Sequence, residues 1–163
     1  MSHAIIPGSF DPMTMGHLWL VEQVAAEFDR VTVAVMINES KQYCFDMQTR
    51  VAIAKKTVEA LPNVEVVSDR GMLIDLFDRL GADAVCKGWR NEVDLAYEQD
   101  MAAWNLAHNP RFCTKLYRSE GEYCSLSSTE VRGLLGDDTL LKKAVHPNAL
   151  PLIHGALSAR EGE

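Results

Sequence analysis

The sequence lacks the features that define several large protein classes. Its four cysteines, Cys44, Cys86, Cys113 and Cys124, form no Cys-x-x-Cys pair, so a zinc ribbon or a thioredoxin-like site has no local support. No apolar run approaches the ~18 residues of a membrane-spanning helix. The first residues lack the basic start and long apolar stretch of a signal peptide. We therefore expect a cytoplasmic protein with reduced thiols and no membrane association.

Excess positive charge is also absent. Lys and Arg number 16 against 23 Asp and Glu, which gives a formal net charge of −7. Binding to a nucleic-acid backbone requires clustered positive charge, so we expect no nucleic-acid partner. A small phosphorylated ligand remains possible, because a few local cations suffice to hold one. With 163 residues, of which 47% are hydrophobic and 24% charged, the composition predicts one globular domain spanning 1–163.

Three well-known sequence signatures are missing. Gly8 and Gly16 are too far apart for the dinucleotide-binding fingerprint at the first strand-helix junction, and no P-loop string is present. There is no Gly-x-Ser-x-Gly elbow for a nucleophilic serine, and the remaining histidines show no metal-ligand spacing. These absences disfavour a dehydrogenase, a P-loop kinase, a triad hydrolase and a resident metal site.

Apolar runs typical of strands alternate with helical periodicities about five times. The predicted strands are 4–6, 31–37, 64–67, 84–86 and 114–117. The predicted helices begin near 16 and cover 47–60, 73–80 and 92–108, with another from Ser127 and a region at 137–153 interrupted by Pro147 and Pro151. The tail from about residue 156 is expected to fray. This alternation predicts an α/β fold, a Rossmann-like, doubly wound, five-stranded parallel sheet with helices on both faces.

Unusual polar residues follow four of these strands. Ligands of such sheets bind beyond the carboxyl ends of the strands. The residues concerned are the turn-rich loop 7–16 after the first strand, Lys41 after the second, 87–90 after the fourth and Ser127 to Thr129 after the fifth. The sequence therefore predicts that four separate segments converge on one crevice.

The string Thr14-Met15-Gly16-His17 is the strongest single signal. It places an imidazole and free backbone N–H groups at a helix N-terminus, which favours a phosphate. Gly16 would let an anion approach the backbone closely. The simpler interpretation is that His17 only caps a helix and Gly16 only turns the chain.

The other charged and hydroxyl residues also have simpler interpretations. Lys41, the pair Lys87 and Arg90, and Glu98 could be solvated surface groups. Ser127 could act only as an N-cap, in a capping box with Glu130.

Taken together, the segments resemble the bacterial phosphopantetheine adenylyltransferases of the nucleotidylyltransferase superfamily. The resemblance runs from Ala4 to about Pro151. It is carried by Pro7-Gly-Ser-Phe-Asp-Pro12, Thr14-x-Gly-His17, Lys41, Asn63-Val-Glu-Val-Val67, Lys87-Gly-Trp-Arg90, 94–98 and Leu126-Ser-Ser-Thr-x-Val-Arg132. Several spaced motifs in the right order are much more specific than any one of them.

The resemblance implies transfer of AMP from ATP to 4′-phosphopantetheine, giving dephospho-coenzyme A and pyrophosphate. It implies that ATP contacts Ser9, Phe10, His17, Gly88, Trp89, Arg90, Glu98, Tyr123, Cys124, Ser125, Leu126, Ser127, Ser128 and Thr129. The phosphopantetheine side would comprise Ser9, Lys41, Leu73 and Lys87, with His17, Lys41 and Arg90 as the catalytic residues. It also implies a homohexamer. Because the triphosphate of ATP is highly charged, we expect Mg²⁺ as the cofactor that offsets this charge.

Two positions depart from the family pattern. Ser9 stands where the family more often has threonine, which preserves the hydroxyl. Lys87 stands where arginine is usual, so the charge remains but the bidentate fork is lost. The lysine at position 87 therefore bears on the affinity for the acceptor rather than on the type of reaction.

Two alternative functions stay open at the level of sequence. One is another nucleotidylyltransferase with the same histidine-bearing loop, acting on nicotinamide or nicotinate mononucleotide or on glycerol phosphate. Lys41 and the 87–90 string match the pantetheine-type members better. The other is a non-catalytic module that binds ATP without turnover, which the release of pyrophosphate would exclude.

Overall fold

The computed structural model describes residues 1–37, 41–120 and 127–161. In chain order the elements are β1 (His3–Gly8), α1 (Met15–Glu27), β2 (Arg30–Met36), α2 (Met47–Val58), β3 (Val64–Asp69), α3 (Leu73–Leu80), β4 (Ala84–Trp89), α4 (Glu92–His108), β5 (Thr114–Arg118), α5 (Ser128–Arg132), α6 (Asp138–Ala144) and α7 (Leu150–Glu161). None of the helices in these ranges is long and apolar enough to cross a bilayer.

The strands form one parallel sheet in the order β3-β2-β1-β4-β5. Successive side chains of a strand point to opposite faces. Ala4 and Ile6 of β1 accordingly join a larger core cluster, whereas Ile5 between them joins a smaller one with Leu76 and Phe77 of α3. Apolar residues on both faces require helices on both faces. The doubly wound parallel sheet predicted from the sequence is confirmed.

β4 is longer than the sequence suggests. It continues to Trp89, so Lys87, Gly88 and Trp89 belong to the strand rather than following it. The extension has a partner, because Lys87 to Trp89 lie in register with residues 116–118 of β5. The prediction that these three residues follow the strand is therefore wrong, and Arg90 is the first residue beyond it.

The C-terminal region is also more regular than expected. α6 ends at Ala144, ahead of Pro147, as predicted. Pro151, however, is the second residue of α7, where the missing N–H would have no helical partner in any case. α7 continues to Glu161 instead of fraying from about 156, because Ala156 and Leu157 pack against the larger core cluster.

Candidate active site

A crevice of about 630 Å³ opens at the carboxyl ends of β1 and β4. Eleven of the residues predicted to contact ATP or the acceptor line it: Ser9, Phe10, His17, Lys41, Lys87, Gly88, Arg90, Glu98, Ser127, Ser128 and Thr129. The structure thus brings together all four of the predicted segments.

Two predicted residues do not line this crevice. Trp89 ends β4, and the Arg118 guanidinium lies 5.7 Å from its ring centroid. Leu73 begins α3 and packs against the smaller core cluster. Tyr123, Cys124, Ser125 and Leu126 lie outside the described residues. The roles that the resemblance implies for these six residues stay predictions.

The His17 ring is held by the N-terminus of its own helix. Thr14 is the N-cap of α1, and its hydroxyl accepts from the His17 backbone N–H at 3.2 Å. In return the Thr14 backbone N–H donates to His17 Nδ1 at 3.0 Å. This is a capping box with histidine in the position usually taken by Glu or Gln. His17 therefore caps the helix and lines the crevice at once, so the two interpretations of the motif are compatible.

The capping box also sets the chemistry of the ring. Because Nδ1 accepts a hydrogen bond, the neutral imidazole carries its proton on Nε2. Burial, and to a lesser extent the positive charge of Arg90, lower the pKa of His17 to about 4. Phe10 packs edge-on against the ring, with centroids 5.0 Å apart. At neutral pH His17 is thus an uncharged hydrogen-bond donor.

We expect an NMR titration of the His17 imidazole to have its midpoint near pH 4, with Nδ1 unprotonated at pH 7. The resonance is assigned by its loss in a His17→Gln variant. In the unfolded chain the pKa is about 6.5, so the unfolded state binds the proton first as the pH falls. The stability due to the neutral ring is therefore complete above pH ~6.5 and is lost between there and pH ~4. A midpoint near 6.5 would show that the ring is not buried as described.

The first loop is shaped around the Phe10 ring. Phe10 has a φ of 46°, in the left-handed region that bulky residues rarely adopt, and is only 4% exposed. A Cβ at Gly8 would lie 3.0 Å from the Phe10 ring. Glycine at position 8 therefore allows this ring to fold back between the end of β1 and His17. The sequence alone gave Gly8 no such role.

The cations of the crevice are held by carboxylates. Lys87 Nζ lies 2.7 Å from Glu98 Oε2. Arg90 Nε donates to Asp94 Oδ2 at 3.0 Å, and its Nη1 to Glu130 Oε1 at 3.3 Å. These partners orient the two cations at the crevice. Lys87 and Arg90 are therefore not simply solvated surface charges. A phosphate that enters the crevice would bind Lys87 or Arg90 beside these carboxylates or in place of them.

The start of α5 is tied to the first loop. Ser128 Oγ donates to the carbonyl of Pro12 at 2.8 Å, and Arg132 Nη1 donates to the carbonyl of Asp11 at 2.8 Å. Ser127 Oγ accepts from the Glu130 backbone N–H at 3.2 Å, as the capping box predicts. The Glu130 carboxylate, however, accepts from the Ser127 hydroxyl at 3.1 Å. These contacts bring residues that are more than a hundred positions apart to one side of the crevice.

The Asp11 carboxylate has a structural role that the sequence pattern does not reveal. It is 2% exposed and accepts from the backbone N–H groups of Cys44 at 2.7 Å and of Phe45 at 2.8 Å. It thereby fixes the segment that follows Lys41 to the first loop. A carboxylate between two apolar residues, Phe10 and Pro12, is the only sequence signal of this contact.

The described residues include no group of three or more His, Cys, Asp and Glu side chains placed to hold a metal ion. The two carboxylates that line the crevice, Asp94 and Glu98, each contact a cation of the protein.

Comparison with known proteins agrees with the fold. Residues 5–134 match the family model described as cytidylyltransferase-like, which defines the chain as a nucleotidylyltransferase-type protein. A Vibrio parahaemolyticus structure described as a candidate nicotinate-nucleotide adenylyltransferase shares the fold, with a TM-score of 0.72 at 17% identity over 95% of this chain and 93% of its own.

Two relatives of assigned function show which family of nucleotidylyltransferases the chain is similar to in sequence. The phosphopantetheine adenylyltransferase of Limosilactobacillus reuteri (strain DSM 20016) is 44% identical over 140 residues, 84% of this chain and 81% of its own. That of Clostridium perfringens is 35% identical over 163 residues, 100% of this chain and 99% of its own. The chain therefore belongs to the phosphopantetheine adenylyltransferase family, as the sequence motifs predicted.

Proposed function

We propose that this nucleotidyltransferase moves AMP from ATP to 4′-phosphopantetheine within the crevice, giving dephospho-coenzyme A and pyrophosphate for coenzyme A biosynthesis. The observation that carries the proposal is the convergence of His17, Lys41, Lys87, Arg90 and the start of α5 on one cavity of about 630 Å³. Membership of the family supports the choice of donor and acceptor. We place the reaction in the cytoplasm, where cysteine thiols stay reduced.

The chemistry needs no covalent intermediate. A phosphate oxygen of phosphopantetheine attacks the α-phosphorus of ATP in line, the bond to the bridging oxygen breaks, and pyrophosphate leaves. No general base is required, because a phosphate monoester is mostly ionised at pH 7. Negative charge spreads over the equatorial oxygens, so catalysis consists of positioning and electrostatic stabilisation. The Nε2–H of His17 would donate to an oxygen of the α-phosphoryl group as this charge develops.

The cations divide between the two substrates. Lys41 and Lys87 would hold the phosphate of the acceptor, and Arg90 with the hydroxyls of Ser127 and Thr129 would hold the β- and γ-phosphates of ATP. Support comes from their positions, since all of them line the same crevice as His17. Because Asp94 and Glu130 already orient Arg90, little conformational entropy is lost when a phosphate binds there.

Mg²⁺ would enter with ATP as part of the substrate complex. When bound, the ion offsets the charge of the triphosphate. The carboxylates of the crevice, Asp94 and Glu98, contact Arg90 and Lys87 and do not form a ligand set for a resident ion. We therefore assign no residue of this chain to the metal.

The proposal is tested by a coupled pyrophosphate assay with ATP, comparing 4′-phosphopantetheine with nicotinamide mononucleotide as the acceptor. We expect release that depends on phosphopantetheine and is negligible with the mononucleotide. Release with the mononucleotide instead would assign the crevice to a different acceptor. Binding of ATP without release in either case would indicate a non-catalytic module.

An apolar face of α4 supports the homohexamer implied by the family resemblance, which we keep as a proposal. Val93, Tyr97, Met101 and Trp104 recur at helical spacing, and their exposed fractions are 78%, 61%, 37% and 44%. Val93 and Tyr97 also line the crevice. A second copy of the chain on this face would bury the apolar side chains and lie beside the site.

We expect Trp104→Lys to shift the protein from a hexamer to smaller species in size-exclusion chromatography with light scattering. A charge placed in an apolar contact is expensive to bury, so association should weaken. Gln99→Lys, an exposed position on the opposite side of α4, is the matched control and should leave the hexamer intact. A wild-type protein that runs as a monomer would contradict the proposal.

A further inference from the structure

Arg50 is a buried cation to which the mechanism above gives no role. It lies in α2, is 1% exposed, and is the largest fully buried side chain of the residues that the structure describes. A guanidinium stays charged at every physiological pH. Burying one is costly unless its donors find acceptors, so the contacts it makes must define its role.

The acceptors of Arg50 are backbone carbonyls from three separate segments. Nη1 donates to the carbonyl of Ser9 at 2.9 Å and, more weakly, to that of Met36 at 3.4 Å. Nε donates to the carbonyl of Phe45 at 3.1 Å. These carbonyls belong to the loop after β1, the end of β2 and the segment after Lys41. One planar group therefore sets the spacing of all three.

The segment after Lys41 is clamped through both the carbonyl and the N–H group of Phe45. The Arg50 guanidinium lies 3.9 Å from the centroid of the Tyr43 ring and bonds the carbonyl of Phe45. Asp11 accepts from the N–H of the same Phe45, at 2.8 Å. Lys41 is only two positions before Tyr43, so its placement at the crevice depends on this clamp. Ser9, at the other end of the clamp, also lines the crevice.

We propose that Arg50 is a positioning residue of the transferase site, which holds Ser9 and the Lys41 segment in the relative arrangement that aligns the acceptor phosphate with ATP. The inference rests on the proposed function, because it names what sets the geometry of that same site. It distinguishes the two substrates, because Arg50 holds the segment that follows Lys41, whereas Arg90 is oriented by Asp94 and Glu130.

The inference is tested by measuring the steady-state kinetics of Arg50→Lys with each of the two substrates varied separately. Lysine keeps a positive charge but cannot bond the three carbonyls in one plane. A displacement of about 1 Å can reduce a rate about 100-fold, so we expect kcat/KM for phosphopantetheine to fall about 10- to 100-fold. KM for ATP should stay within about twofold of the wild-type value. Lys56→Met, an exposed position on the same helix, is the matched control and should change neither quantity.

Chemical rescue distinguishes positioning from a general loss of structure. Arg50 borders a second cavity of about 710 Å³ together with Lys41 and Tyr43, so its truncation to alanine would open the vacated space to that cavity. Ethylguanidinium should therefore restore part of kcat/KM for phosphopantetheine in Arg50→Ala, and sodium chloride at equal ionic strength should not. If Arg50→Ala fails to fold, Tyr43→Leu is the second variant. It should lower kcat/KM for phosphopantetheine about threefold and leave KM for ATP unchanged.

Two results would overturn the inference. One is a kcat/KM for phosphopantetheine that is unchanged in Arg50→Lys and Tyr43→Leu. The other is a rise in KM for ATP as large as that for phosphopantetheine, in step with a lower Tm and without rescue, which would make Arg50 a stability residue only. Failure of the proposed function is distinguishable, because the wild-type protein would then release no pyrophosphate with phosphopantetheine.

Discussion

Replacing His17 by alanine should lower kcat about 10²- to 10³-fold while KM for ATP changes less than about threefold. The reason is the state of the ring. Thr14 holds Nδ1 as an acceptor and burial keeps the imidazole neutral, so Nε2–H is the donor of a fixed ring that lines the crevice. A fixed donor at the α-phosphoryl group is most valuable when negative charge develops there, in the transition state. The substrate in its ground state gains less from it.

The measurement is steady-state kinetics by release of pyrophosphate, with both substrates varied. His154→Ala is the matched control, because His154 makes a partly exposed bond of 2.8 Å to Asp138 on another part of the surface. Such pairs contribute little, so the control should keep wild-type kinetics. A His17→Ala enzyme with nearly unchanged kcat would remove His17 from the catalytic residues. A large rise in KM for ATP at constant kcat would make it a binding residue only.

Replacing Lys41 by alanine should lower kcat/KM for phosphopantetheine about 10- to 100-fold. A hydrogen bond to a charged group is worth about 1.5–3 kcal/mol, and about 1.4 kcal/mol corresponds to a factor of ten. Lys41 is an exposed residue at the edge of the crevice, on the segment that Asp11 and Arg50 hold in place. In the proposed reaction its ammonium would hold the attacking phosphate, while the ATP phosphates would lie nearer Arg90.

The same pyrophosphate assay separates the substrates for Lys41→Ala, with Lys142→Ala on α6 as an exposed control. Lys41→Arg should recover most of the loss, since the charge is restored. If KM for ATP rises instead and the use of phosphopantetheine is unchanged, Lys41 belongs to the nucleotide side. That outcome would also remove the basis for the role of Arg50.

The architecture could be predicted because the central strands carry an unambiguous pattern. β2 is apolar and β-branched along most of its length, which is typical of a strand covered on both faces. The end of β4 could not be predicted in the same way. Lys87, Gly88 and Trp89 have no strand periodicity of their own, and they are in the sheet because β5 offers backbone partners. Backbone pairing with β5 therefore decides the conformation of these residues, and their intrinsic strand propensity does not.

Part of the site was predictable for a similar reason. The residues proposed to contact a ligand through side chains, such as His17 and Arg90, stand out by their type and by their place after a strand. Asp11 and Arg50 act on backbone groups, some of them 33 and 41 positions away, which side-chain types do not indicate. Leu73 illustrates the converse, because it was assigned by resemblance alone and lies outside the described crevice.

The central claim is that one triphosphate is surrounded by His17 and by segments distant in sequence. It is tested most directly by a crystal structure with an ATP analogue in which a methylene group replaces the oxygen between the α- and β-phosphates. We expect His17 Nε2 within about 2.7–3.2 Å of an α-phosphoryl oxygen, with Arg90 and the hydroxyls of Ser127 and Thr129 around the β- and γ-phosphates. A ring turned away from the α-phosphate, or a triphosphate bound in the second cavity beside Arg70, would contradict the account.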